Sequence, residues 1–399
     1  MGRQERLALI NEIEKARGST VIAYVTSDRA NLVAGIMGDA VSIIHEHIMG
    51  TSHGESPKLD LFVYSRGGDS DVPWTLVSMF RQYCQKGSFS VLVPYRAHSA
   101  ATVICLGADE IVMTRKGELG PIDATIVRGP YNPTDKQTSN PLPVSVEDVN
   151  GYFSLLEHVG CARPEEKMQG FEQLGGKVHP LALGAVYRRL EETKLVGLRL
   201  LSTRAEPFSE EENQEIIKKL SSEVYSHRHV INPTEAVKYL GLKHVKEAES
   251  LGLENTLWSL FEEYRELFEL ESPFRPEEHL VANDLEEDTW ENLPVACIES
   301  SHRLDTCRNS MKVKRLRNVP PTVNLQLSDI HFPNVTLPDE TAAQMDPEAL
   351  RDLISQTVQA TLQATLNSAV ESATKELLRA LPQKGFERVA FNSGWETEV

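Results

Sequence analysis

The sequence predicts an α/β domain with mainly parallel strands, followed by a helical C-terminal extension. Three observations carry this. Short apolar or β-branched runs bounded by polar residues read as strands, and segments of helical apolar spacing separate them. The alternation recurs at roughly 25–30 residues, the pattern of stacked β-α units. The 399 residues suffice for two structural units, one large enough to bury a full core.

The elements run in order along the chain. Residues 1–19 read as an amphipathic helix, because Arg3, Glu5, Arg6, Glu12 and Glu14 interrupt what would be the apolar core of a signal peptide. Thr20–Thr26 is a β-branched strand, and Leu32, Ile36, Ala40, Ile43, Ile44 and His47 place a helix over 31–47. Leu59–Tyr64 is a second strand that stops abruptly at Ser65-Arg66-Gly67-Gly68-Asp69. Helical spacing through Trp74, Val77, Phe80 and Tyr83 comes next. A strand over 90–94 runs into Ala97-His98-Ser99-Ala100-Ala101-Thr102, which opens a short apolar helix to Gly107. Glu110–Met113 then leads to Gly120-Pro121-Ile122-Asp123.

Residues 127–143 are rich in Pro, Thr, Asn and Gly and read as an exposed loop, and helical spacing dominates 146–220. Residues 225–231 are a strand candidate; Pro233 starts a helix, with Gly241 suited to a left-handed cap. Beyond about 250 come an acidic helix over 254–272, an acidic loop over 281–293 and one more strand at 295–298. Residues 318–340 are a Pro-interrupted linker. Asp346-Pro347-Glu348 begins a last helix, to about Leu381, with Leu350, Ile354, Val358, Leu362, Leu366 and Val370 at four-residue steps. Such steps drift across the helix face, so the stripe packs or self-associates without a regular heptad.

Charge and cysteine usage exclude several classes. With 41 Lys+Arg against 58 Asp+Glu, the net charge of −17 argues against a general nucleic-acid or anionic-membrane binder. Lys312, Lys314, Arg315 and Arg317 are the densest basic patch. No stretch approaches the ~20 apolar residues of a membrane span. Cys84, Cys105, Cys161, Cys297 and Cys307 are odd in number and scattered, so no disulfide framework is expected, and a reducing cytoplasm is. Cys297, His302 and Cys307 hold only half of a zinc-knuckle spacing; no metal is expected.

Two turns at strand ends can carry chemistry. Gly67 and Gly68 would expose backbone N–H groups without side-chain obstruction, as an oxyanion hole requires; taken alone, a tight strand-to-helix turn explains them better. A P-loop is excluded, because its Lys-Ser/Thr is missing. Ser99 opens a helix among small residues. There it is either an N-cap, the better reading in isolation, or a nucleophile backed by the dipole and the Ala100 N–H. His98 adjoins it, but neighbouring side chains diverge.

In combination these pieces resemble the serine dehydrogenase proteinase family, relatives of Clp protease and signal peptide peptidase A within the Clp/crotonase fold. LDLFVYSRGGD (59–69), VLVPYRAHSAATVICLGADEIVM (91–113), ELGPID (118–123) and YSHRHVINPTEAVKYLGL (225–242) occur in the family's order. The likeness spans about 20–245; VACIESSHRLDTC (295–307) is similar to the family's end segment. It implies Clp/crotonase-like stacked ββα units and a serine endopeptidase: Ser99 as nucleophile, Gly68 and Ala100 as oxyanion donors with Gly67 shaping the hole. His227 is then the general base and Asp123 its orienting acid. His229, two residues on, and His179, before Pro180, compete for the base role, and a Ser-Lys dyad ranks below the triad. The turn departs from the family in carrying Arg66 where proline is usual.

The implied organisation is a peptidase domain over 1–250, a helical and acidic extension over 251–316, a linker over 317–345 and a C-terminal helix and tail over 346–399. The substrate would be a peptide or unfolded protein, with no cofactor, no nucleic acid and no membrane. The assembly would be a homo-oligomer, open to a separate regulatory partner through the C-terminal helix. The rivals are a non-catalytic or partner-activated assembly protein and, below it, a crotonase-type acyl-CoA enzyme.

Overall fold

The computed structural model describes residues 2–51, 57–84, 88–122, 125–126, 129–135, 140–160, 163–223, 229–320 and 346–398. The chain divides into two units. One comprises Met1–Phe274, Asn292–Ser310 and Asn392–Val399; the other comprises Arg275–Glu291 and Met311–Phe391.

The first unit is mixed α/β around a mostly parallel sheet. Strands β1 (Thr20–Thr26), β2 (Leu59–Tyr64), β3 (Phe89–Val93), β4 (Glu110–Met113) and β5 (Val245–Glu247) lie in the order β5-β4-β3-β2-β1, all parallel. Beyond β1 comes β6 (Glu287–Glu299), which runs antiparallel and sets Ala23 against Glu299 and Thr26 against Ala296. β7 (Leu304–Arg317) and β8 (Gln383–Glu398) continue the sheet to its edge.

Strands covered on both faces read as continuous apolar runs, and β1 shows why. Ile22 and Tyr24 enter one core, most of whose helical residues come from α2 (Ala40–Gly50), α3 (Val72–Tyr83), α4 (Ala100–Leu106) and the end of α7 (Pro180–Ser202). Val21, Ala23 and Val25 enter the other, beneath α1 (Arg3–Arg17) and α10 (Glu254–Leu267). The helical stretch expected over 146–220 holds α5 (Val146–His158), α6 (Pro164–Gly175) and α8 (Glu210–Lys218) besides α7. Asp60, a charge in the middle of β2, is fully buried; it is paired with Arg17 and accepts from the Ser19 hydroxyl at 2.7 Å. Removing either partner would strand a buried carboxylate.

A second ladder runs across the strand ends. Gly68 pairs with Ile36, Ser65 with Ala97, Ala97 with Leu119, and Leu119 with Ile231. Each central strand is thus followed by a short extended segment, and the ladder aligns the turns that leave β2 and β3.

Several expectations are corrected. The helix expected over 31–47 starts at Ala40; before it, Asp28–Arg29 pairs with Leu32–Val33 across a turn in which Asn31 takes φ +69°. The acidic stretch 281–293 is not a loop: helix α11 (Pro276–Ala282) precedes it and β6 begins within it. The strand expected over 225–231 lies largely in residues 224–228, outside the described residues, with Ile231 bridging to Leu119. Most of the linker, 321–345, is likewise outside them. Helix α12 (Pro347–Ala380) forms as expected, but residues 383–398 are strand β8 rather than a tail.

Within the second unit the basic patch is neutralised. Lys312 lies 2.7 Å and Lys314 3.7 Å from Glu287, Arg315 3.5 Å from Asp284 and Arg317 2.5 Å from Glu286.

Candidate active site

The ladder sets two turns against each other. Ser65 N–H donates to the Arg96 carbonyl at 2.9 Å and His98 N–H to the Ser65 carbonyl at 3.0 Å, which fixes the exit of β2 beside the exit of β3. Gly67 takes φ +104°, and a Cβ there would fall 2.7 Å from the Ser99 Cβ. At Gly68 an added Cβ would lie 2.2 Å from the Ile36 carbonyl oxygen. Glycine is therefore required at both positions, at the first for conformation and space, at the second for space alone.

Ser99 takes φ +50° and ψ −117°, a region that non-glycine residues avoid and that is held only when the surroundings over-determine it. They do. Ala101 N–H donates to the His98 carbonyl at 2.9 Å, Val103 N–H to the Ser99 carbonyl at 3.0 Å, and the Thr102 hydroxyl lies 2.7 Å from the Ala97 and 2.9 Å from the Gly120 carbonyl. The Ser99 side chain makes no capping hydrogen bond to α4, which removes the N-cap reading.

Two donors are unspent. Ile36 pairs through the Gly67 carbonyl and the Asp69 N–H, both at 2.8 Å, leaving the Gly68 N–H unused by that bridge. Ala100 is the first residue of α4, so its N–H has no intrahelical acceptor. Among the described residues nothing else takes up either N–H or the Ser99 hydroxyl. A hydroxyl beside two free N–H donors can add to a carbonyl and stabilise the oxyanion that forms. Gly67 is not a third donor, since its own N–H is bonded to Ser65 Oγ at 3.0 Å; the missing side chain gives Ser99 room, in keeping with a residue that shapes the hole.

The expected partners fare differently. Asp123 and His227 lie outside the described residues. His229 is bound elsewhere, its Nε2 2.7 Å from Glu235 Oε1 at the first turn of α9 (Pro233–Lys238). His179 is a helix-entry residue: its Nδ1 accepts from the Leu181 N–H at 3.2 Å to cap α7, and its ring stacks on Tyr131. His98 Nε2 is 3.1 Å from Glu118 Oε1, close enough for ionic attraction although not aligned as a hydrogen bond. Burial pushes the Glu118 carboxyl up, but His98 and Arg96 outweigh it and hold the group below the usual range. Arg66 reaches away to Asp28 at 2.8 Å, where Arg96 and the Tyr64 hydroxyl also bind.

A second serine stands in a triad-like set that sequence reasoning missed. His47 Nδ1 is 2.7 Å from Ser300 Oγ and its Nε2 2.9 Å from Asp305 Oδ2; Arg303 and the Thr397 hydroxyl of β8 complete the Asp305 shell. All three members are at most 1% exposed. Desolvation pushes the His47 imidazole down to about 4 despite Asp305. Nothing in the chain could have signalled this grouping, since 253 and 258 residues separate His47 from its partners.

No family model matches the chain. An uncharacterized protein of Methanocaldococcus jannaschii is 29% identical over 133 residues, which is 32% of this chain and 44% of that protein. The match thus spans less than half of that relative's length. Among the described residues no helix is long and apolar enough to cross a membrane, and no group of three or more potential ligands could hold a metal ion.

Proposed function

We propose that the chain is a serine peptidase of the Clp/crotonase fold, cleaving peptide bonds through an acyl-enzyme on Ser99. The observation that supports this best is Ser99 itself, strained at φ +50° beside the Gly68 and Ala100 N–H groups. The ladder of short segments after β1, β2, β3 and β4 supports the stacked ββα reading.

In this mechanism His227 takes the proton from Ser99 Oγ as that oxygen attacks the peptide carbonyl. The oxyanion accepts from Gly68 and Ala100 N–H. Collapse expels the amine, which receives the proton from His227, and water then attacks the ester by the same route in reverse. Asp123 orients the imidazolium and balances its charge. The substrate class is a peptide or unfolded protein, and no cofactor enters any step. The described cysteines are free thiols, which fits a reducing cytoplasm.

Helix α12 favours the second reading, an assembly role alongside or in place of catalysis. Residues 353–370 carry no charge in a chain of net charge −17, and Ile354, Val358, Leu362, Leu366 and Val370 are exposed along it. Identical copies can meet there without like-charge repulsion, which makes a homo-oligomer the assembly proposed; the same face is open to a regulatory partner.

The test is intact-mass labelling by a fluorophosphonate probe of wild type and of Ser99→Ala, Asp123→Asn, His227→Ala and His229→Ala. A single adduct lost in Ser99→Ala and slowed in His227→Ala is expected. Labelling that survives Ser99→Ala, or no adduct at any oligomeric state, would discard the peptidase and leave the assembly reading.

A further inference from the structure

We propose that the opposite end of the sheet holds an oxyanion site, built around Arg204 and His244, that takes a phosphate group, free or carried by a small molecule. It lies where β3, β4 and β5 begin, in a cleft of about 590 Å³ lined by Lys58, Asp109, Arg204, Phe208, His244 and Lys246 among others.

The argument is an accounting of donors against acceptors. Arg204 is more than nine-tenths buried. Its Nε donates to the Ala108 carbonyl at 3.0 Å, its Nη1 has no partner, and no carboxylate of the described residues lies within ion-pair distance. His244 is buried as deeply, and neither of its ring nitrogens has a partner. Whichever tautomer it adopts, one N–H is left without an acceptor. Groups of this kind are normally paired, because an unpaired buried donor or cation costs free energy.

The acidic side chains of the cleft do not supply what is missing. Asp109 is occupied by Arg81 at 2.6 Å and by the N–H groups of Phe89 and Ala205. Glu110 pairs with Arg17 at 2.8 Å, and Glu212 with Lys243 at 2.6 Å. Only the exposed Glu206 remains. On the donor side Lys246 adds an ammonium with no carboxylate partner among the described residues, and Lys58 bonds only to the Arg17 carbonyl at 3.2 Å. Around Arg204 and His244 the cleft therefore holds more buried donors than free acceptors, and Lys246 beside them is a cation that no carboxylate of the described residues neutralises.

The geometry suits an anion with several oxygens. The Arg204 guanidinium stacks on Phe208 at 4.4 Å, and Phe208 also touches the His244 ring at 5.6 Å. Stacking fixes the plane of the guanidinium, and its N–H edge remains the bonding direction; a phosphate fits such a fork. The neighbouring imidazole and Lys246 would serve the remaining oxygens. The volume exceeds what one inorganic ion fills, so an organic group attached to the phosphate has room. Desolvation and Arg204 press His244 to about 3, so an anion bound between them would raise it.

The experiment is calorimetric titration of the full chain with inorganic phosphate and, separately, phenyl phosphate, against chloride of matched ionic strength. The His244 ring signals are followed by NMR. Saturable binding with a shift of those signals is expected. Tighter binding of phenyl phosphate assigns the site to an organic phosphate; equal binding assigns it to the free ion. Arg204→Gln should weaken binding at least tenfold, and Lys246→Gln, an exposed substitution with no packing to lose, about threefold. Ser99→Ala should bind as wild type, which separates this site from the peptidase reading. No saturable heat from either probe, or undiminished binding in Lys246→Gln and a folded Arg204→Gln, would overturn the proposal.

Discussion

Ser99 and Ser300 sit in opposite circumstances within one unit. Ser300 has the hydrogen bonds that a catalytic serine is expected to show, with His47 at 2.7 Å and Asp305 behind it, yet all three groups are sealed from solvent. Ser99 has no bonded histidine among the described residues, but it is half-buried, strained and placed beside two unspent N–H groups. The difference teaches that a Ser-His-Asp chain of hydrogen bonds does not by itself define a nucleophile. Access for a carbonyl and donors for its oxyanion are separate requirements; burial denies Ser300 the first, whereas Ser99 is half-buried and has two unspent N–H groups beside it. The buried set instead satisfies polar groups that join α2 to β6, β7 and β8.

The sharpest way to break the comparison is to exchange the roles by mutation. Ser99→Ala should abolish fluorophosphonate labelling and lower peptide hydrolysis by about 10³-fold or more. Ser300→Ala should leave both within twofold; equal losses in the two variants would erase the distinction. Next in size, Gly67→Ala places a methyl against Ser99 at a left-handed φ. Hydrolysis should drop by about 100-fold, the scale of losing one oxyanion contact.

Stability measurements sharpen the other side. Ser300→Ala leaves His47 Nδ1 without its partner, and denaturant titration should show a loss of about 1–3 kcal/mol. The pH profile adds a smaller and gradual effect. His47 in the folded state titrates at about 4, below its ordinary value near 6.5, so between those two values the unfolded chain binds the extra proton and the folded chain does not. Stability should therefore fall as the pH drops from 6.5 toward 4, with no contribution from this group above that window. His47→Gln should flatten the slope by up to about 3 kcal/mol in total, and His244, depressed for the same reason, should keep some of it. Thr397→Val, which removes one bond to Asp305, should cost about 1 kcal/mol.

How much was legible depended on how local the cause was. β1, β2 and β4 run over the residues their apolar composition marks, because a strand buried on both faces needs no information beyond itself. β7 was hidden in a stretch whose Lys312, Lys314, Arg315 and Arg317 read as a patch; their carboxylate partners lie elsewhere in the chain. β8 was hidden because Glu387, Arg388, Glu396 and Glu398 dilute its apolar positions, and an edge strand tolerates that. At the site, Gly67, Gly68 and Ser99 were visible as residue types. The φ of Ser99 was not, because that strain belongs to the packing of two turns that are distant in sequence. The donor surplus around Arg204 was invisible for the same reason, since it depends on which carboxylates are already taken.

The last strand has a consequence for how the chain is made. His47 leaves the ribosome 258 residues before Asp305, an interval of roughly 10–50 s at ordinary elongation rates. Thr397 and Trp395, which bonds Asp39 at 2.9 Å, come later still. For most of that time the edge of β1 that Ala296–Glu299 will cover has no antiparallel partner, although the residues of the Ser99 turn have already been synthesised. The nascent domain therefore waits as an open-edged sheet, a state in which chaperone engagement or an early stop codon would decide its fate.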